Sequence, residues 1–242
     1  MYAGSAVCGS CHADQAAAWR TSHHHAAMAD PRPDTVAGDF ADAVYDGPDG
    51  TTRFHLRNDR YLVEAIGPAG RPETYEVPQS FGFQPLLLYL RPTGDGRPPP
   101  LTVAWDNRPA TAGGQRWMHL HPDTAIAPDD VLHWTAPANN WNHMCADCHA
   151  TGVRKGYEAS TRRFATTYAE ATVGCEACHG PGSAHAAAPA RVRTIPLDSA
   201  ATELNACAPC HSRRSAIAEG FTPGANFLDH YLPALLEAGL YH

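Results

Sequence analysis

The chain has 242 residues, with 25 acidic against 18 basic side chains and a formal charge of −7. That balance argues against nucleic acid and favours a basic or patchy protein partner. No apolar run approaches a membrane span, LLLYL at 86–90 being far too short. MYAGSAVC at the start lacks the basic region and apolar stretch of an export signal.

The first segment, 1–35, holds Cys8, Cys11 and His12 as C-x-x-C-H. This is the attachment signature of c-type haem: the two thiols add to two vinyl groups, and the following histidine binds iron from the near side. The next residues, 14–30, are Ala-rich, with Asp14 near the start and Pro31 just past the end, which predicts a short amphipathic helix. On that helix Trp19 packs on a haem or the core. His23, His24 and His25 would point about 100° apart, so one of the three, His24, is the candidate ligand.

Residues 40–120 change character. TTRFHLR, RYLVEAI and PETYEV alternate apolar and polar residues between turn signals, and Asn58 and Asp59 read as a hairpin turn. SFGFQPLLLYL and LTVAWD continue the pattern, with Pro85 restricting the former to an edge or bent strand. The expectation is a small antiparallel sheet inserted between the first and second motifs. His55, within an alternating strand, reads as a packing or surface residue.

From 121 to 242 the motifs crowd together: Cys145, Cys148 and His149; Cys175, Cys178 and His179; Cys207, Cys210 and His211. All 8 cysteines are thereby used, leaving none for a disulfide or free nucleophile. Two four-thiolate zinc sites need no histidine after every second cysteine, and thioredoxin-like motifs accompany a βαβ pattern that is absent. Four covalently attached c-type haems are expected. The arginines and lysine at 154–155, 162–163, 191, 193 and 213–214 read as propionate partners or as solvated loop charges. FLDHYLPALLEAG at 227–239 carries an apolar stripe with helical character.

Fifteen histidines, four of them in motifs, supply distal ligands in plenty. The candidates are His24, His119, His133, His185 and His230, with His121 and His143 secondary and Met28 and Met118 weaker still. Gly180, Pro181 and Gly182 favour a turn after His179, leaving too little slack for His185 to pass around the same haem. His185 therefore serves a neighbouring one. Five candidates for four places leave one histidine structural, or serving a haem beyond this chain.

Trp19, Ser22 and His24, together with GGQRWMHLHPD, LHWT, NWNHMCADCH, CEACHGPGSAH, CHSRRS and FLDHYLPALLE, resemble the multihaem cytochromes c. These are related to the tetrahaem electron acceptor of hydroxylamine oxidoreductase, and the likeness is nearest to members linked to tetratricopeptide repeats. The resemblance implies a periplasmic or extracellular electron carrier with mostly bis-histidine haems in close pairs, exchanging electrons with redox partner proteins. It carries the distal role to His24, His133, His185, His230 and His119. His143 departs from it, standing where an aromatic is usual.

The chain ends where relatives continue into further haem motifs or repeats, and Met1 reads as a fragment start whose precursor carries an export signal. The expected fold is mainly α and irregular, a single tetrahaem domain over 1–242 organised around four haems, with a β insertion at about 40–120. The alternative function is a multihaem oxidoreductase, with one five-coordinate haem acting on a small nitrogen or sulfur compound such as hydroxylamine or nitrite.

Overall fold

A computed structural model describes residues 1–127, 130–136 and 139–234. Helices α1 (Ser5–Cys11) and α2 (Ala13–Arg20) open the chain. The predicted helix over 14–30 stops early, because the hydroxyls of Thr21 and Ser22 turn back onto the carbonyls of Ala18 and Trp19 at 2.8 and 2.7 Å. Such local bonds compete with the helical ladder. His23, His24 and His25 consequently lie in a turn, and β1 (Met28–Ala29) follows.

Strands β2 (Ala41–Gly47), β3 (Gly50–Arg57), β4 (Arg60–Ile66) and β5 (Pro72–Glu76) form an antiparallel meander. Asn58 and Asp59 turn β3 into β4 with φ of 52° and 61°, the left-handed pair of a type I′ hairpin. A second sheet runs β1, β6 (Ser80–Phe81), β7 (Leu86–Tyr89), β8 (Val103–Asp106) and β9 (Arg116–His119). Pro85 falls in the bend between β6 and β7, and β7 itself is an interior strand.

Both sheets contribute to one aromatic-rich core that includes Phe40, Phe54, Tyr61, Tyr89, Trp105 and Trp117. Phe54 stacks on Trp117 with ring centres 3.5 Å apart. Gly38 is tied to this core: a β-carbon there would sit 2.7 Å from both Trp117 and Tyr89.

The second half is built from short pieces: α3 (Trp141–Met144), α4 (Ala146–His149), a β10 (Tyr157–Glu158) to β11 (Arg163–Phe164) hairpin, α5 (Cys175–His179) and α6 (Ser183–Ala187). Only α7 (Ala200–His211) is long, started by a Ser199–Thr202 capping box. Strands β12 (Arg214–Ala216) and β13 (Tyr231–Pro233) pair at the end of the described residues. The expected helix at 227–239 is instead a 3-10 turn at Phe227–Asp229 followed by β13, and its portion from 235 lies outside the described residues.

The expectation of a mainly α and irregular fold is thus overturned. The structure is 23% helix and 26% strand, with four antiparallel sheets among the described residues. The β region is the larger packed body, because aromatic residues from well-separated strands converge there, whereas the motif segments carry few apolar side chains of their own. A second cluster (Met28, Phe81, Leu90, Trp141 and Ala146) joins this region to the motif at 145–149.

Candidate multihaem centre

Each C-x-x-C-H sits within about one helical turn: α1 with His12 as its C-cap, α4 with Cys145 as its N-cap, α5, and the last turn of α7. Positions three apart share a helix face, so both thiols of a motif face the same way. Helices of four to seven residues are not self-sustaining in water. They are held by neighbours and, when it is bonded, by what the thiols hold.

Long-range packing sets the motifs side by side. The Cys8 thiol lies near Cys175, and α1 packs on α5. Cys178 faces Cys207, and α5 packs on α7. Cys210 lies near Cys148, and α7 packs on α4. Numbered by sequence, the motifs follow one another in space as first, third, fourth and second.

Burial pushes the Cys8 and Cys145 thiols up to about 11, a sign of apolar surroundings. Burial likewise lowers His149, against the pull of its bond to the Ala27 carbonyl. This favours neutral imidazole, the form that binds metal.

Two imidazole pairs stand opposed. The ring planes of His12 and His185 lie 19° apart with centres 6.2 Å apart, and those of His24 and His211 lie 70° apart with centres 6.0 Å apart. An iron between two imidazoles needs this separation: metal–nitrogen bonds of about 2 Å on each side, plus about 1 Å from each nitrogen to its ring centre, make roughly 6 Å. Spacing alone does not select a site. His119 and His121 are 6.3 Å apart, yet His119 has both nitrogens engaged, Nε2 with Asp49 Oδ2 at 2.8 Å and Nδ1 accepting from the His121 N–H at 3.0 Å. His119 is fully buried in the β region, and the structure brings it to no motif.

Nδ1 of His149, His179 and His185 donates to the carbonyls of Ala27, Ile195 and Val192 at 2.8, 3.0 and 2.7 Å. Such bonds fix the ring and leave Nε2 free to ligate. His133 uses Nδ1 on the Thr135 hydroxyl at 2.7 Å. The buried Nδ1 of His230 has no partner among the described residues. Among the described residues, neither His149 nor His179 has a second imidazole in ring contact; the ring beside His149 is Phe81 at 5.2 Å. Met28 is buried in the core.

A cavity of about 470 Å³ runs between the motifs, lined by His24, Cys148, His149, Cys178, Cys207 and His211, with Arg154 and Lys155 at its wall. A second, of about 460 Å³, lies beside His179 with Arg193 on its lining. These volumes lie in the range that holds cofactors. Paired thiols, opposed imidazoles and apolar walls together fit c-type haem. Among the described residues no cluster of three or more His, Cys, Asp or Glu forms a bare-metal site. Arg214 pairs with Asp147 at 3.7 Å and lies over Tyr231.

Sequence reasoning missed two carboxylates, Glu170 and Glu176. Glu170 accepts from the N–H and hydroxyl of Ser5 at 2.9 and 2.8 Å. The only hint in the sequence is that one of them sits inside CEACH.

The family model described as cytochrome c554 and c-prime matches residues 7–42 and 114–180. The fold is shared with the outer cell wall cytochrome OcwA at 19% identity and a TM-score of 0.60, covering 96% of this chain and 45% of that one. It is shared also with an undecahaem cytochrome from the S-layer of Carboxydothermus ferrireducens, at 19% identity and a TM-score of 0.52, covering 91% and 28%. These findings support a multihaem c-type cytochrome. The chain spans less than half the length of either structure. No curated protein matches it. No helix among the described residues is long and apolar enough to cross a membrane.

Proposed function

We propose that this chain is a tetrahaem electron carrier working in the periplasm or outside the cell, exchanging electrons with redox partner proteins. The observation that carries the reading is the pair of opposed imidazoles, His12 with His185 and His24 with His211, each at the spacing of bis-histidine iron. Haem iron, once bonded, supplies reversible one-electron chemistry. The chain's own residues do the rest.

The eight cysteines hold the rings, and the carbonyls of Ala27, Ile195 and Val192 orient the imidazoles. The packed thiols of neighbouring motifs fix the order of attachment, with two ends at the motifs of His12 and His149. His133 and His230, each with a ring nitrogen uncommitted, are the distal ligands assigned to the remaining irons. Kinship with the tetrahaem acceptor of hydroxylamine oxidoreductase and with tetratricopeptide-linked cytochromes belongs to the same proposal, on the strength of the motifs quoted above. Placement outside the cytoplasm is supported by the cell-wall and S-layer settings of the two similar structures.

A second reading has one observation in its favour. His149 and His179 face no second imidazole among the described residues, as an enzyme with a five-coordinate iron acting on hydroxylamine or nitrite requires. Electron paramagnetic resonance of the purified protein separates the two. The carrier gives low-spin iron throughout. A substantial high-spin fraction that binds cyanide or nitric oxide and turns over either compound overturns the carrier reading.

A further inference from the structure

Glu176 lies between the two cysteines of the third motif and is 1% exposed. Its carboxylate accepts three backbone N–H groups: Ala3 and Gly182 on Oε1 at 2.8 and 2.6 Å, and Gly4 on Oε2 at 2.7 Å. Among the described residues it forms no ion pair. A buried charge is ordinarily paired with an opposite one; this one is held by amide dipoles alone, through short charge-assisted bonds.

The donors are informative. Ala3 and Gly4 lead directly into α1, which carries Cys8, Cys11 and His12. Gly4 takes φ of 89° to make that approach. Gly182 is the N-cap of α6, which carries His185. One side chain of the third motif thus grips both chain segments that present imidazoles to the first iron. The Met1 carbonyl reinforces the junction by accepting from the Ser183 N–H and hydroxyl at 3.2 and 2.6 Å. Burial first, and the neighbouring Glu176 second, raise the Tyr2 phenol.

We propose that Glu176 is a positioning residue that holds His12 and His185 at the separation iron needs, and that its fixed negative charge favours the oxidised state of the irons at the first and third motifs. The inference rests on the tetrahaem reading. The length of the side chain carries the first role and its charge the second, so two variants separate them. Glu176→Gln keeps the length, removes the charge, and turns an N–H toward a backbone N–H. Glu176→Asp keeps the charge and shortens the reach.

The experiment is a spectroelectrochemical titration with paramagnetic resonance on full-length protein with haem attached. For Glu176→Gln, two of the four potentials are expected to move upward while the other two hold. For Glu176→Asp, the potentials stay low while a high-spin signal appears from the first iron as His185 loses its position. Unchanged potentials and spin state in both variants, or a uniform shift of all four potentials, would overturn the inference while leaving the tetrahaem reading intact. Wild-type protein without thioether-bonded haem would overturn that reading itself. Should neither variant accumulate, hydrogen exchange of the wild-type amides of Gly4 and Gly182 decides: strong protection supports the clamp and rapid exchange refutes it.

Discussion

His185 has one ring nitrogen committed to the Val192 carbonyl, and its ring centre lies 6.2 Å from that of His12, a gap that iron fits. Its partner in role, His24, lies with its ring centre 6.0 Å from that of His211, the two planes 70° apart. Each removal should open a single iron. His185→Ala and His24→Ala are therefore each expected to convert about one quarter of the haem iron from low to high spin, visible as a new high-spin resonance. His119→Ala, by contrast, should leave the spin state unchanged, because its nitrogens bond Asp49 and the His121 amide.

At this scale the sequence was legible wherever chemistry is local: thiols three apart with a histidine next to them declare themselves without a structure. Glu176 was not legible. A lone acid among cysteines reads as a solvated charge until residues 3, 4 and 182 are seen to converge on it.

Among the elements, the strands show where patterning is informative and where it stops. Alternation in TTRFHLR and RYLVEAI marked β3 and β4 as one-sided strands, and Asn58 with Asp59 marked their turn. The weight of the β region could not be judged from those runs, since Phe40, Trp105 and Trp117 reach the core from segments far apart in the chain. At 14–30 the alanines outweighed the signal from Thr21 and Ser22, whose hydroxyls end the helix.

The sheet carries a charge that is open to test. Asp106, buried at the end of β8, accepts bonds from Arg108 Nε at 2.9 Å and Nη2 at 2.6 Å. These bonds hold its carboxyl down to about 2, against 3.8 unfolded. A depressed folded value stabilises above the unfolded one, and that stability is lost as pH falls through the folded one. The stabilisation is therefore complete above about pH 4 and fades toward pH 2. Asp106→Asn should lower the urea midpoint at pH 7, followed by circular dichroism, and the gap from wild type should close by about pH 2. A gap independent of pH would show that the carboxylate's charge does not matter.

For the whole molecule, the row of attachment points in the order first, third, fourth, second arises from contacts between residues far apart in sequence, Cys8 with Cys175 and Cys148 with Cys210 among them. No local pattern announces such an order, although four motifs in one chain announce the cofactor. The β region sits against the second motif through Met28, Phe81 and Trp141. The claim beneath all of this is covalent: eight thioether bonds and four porphyrins on one polypeptide. Intact mass of the protein after extraction with acidified organic solvent measures it directly. Four haem masses retained on the chain is the expected result, and a bare polypeptide, or one carrying zinc in place of haem, would contradict it.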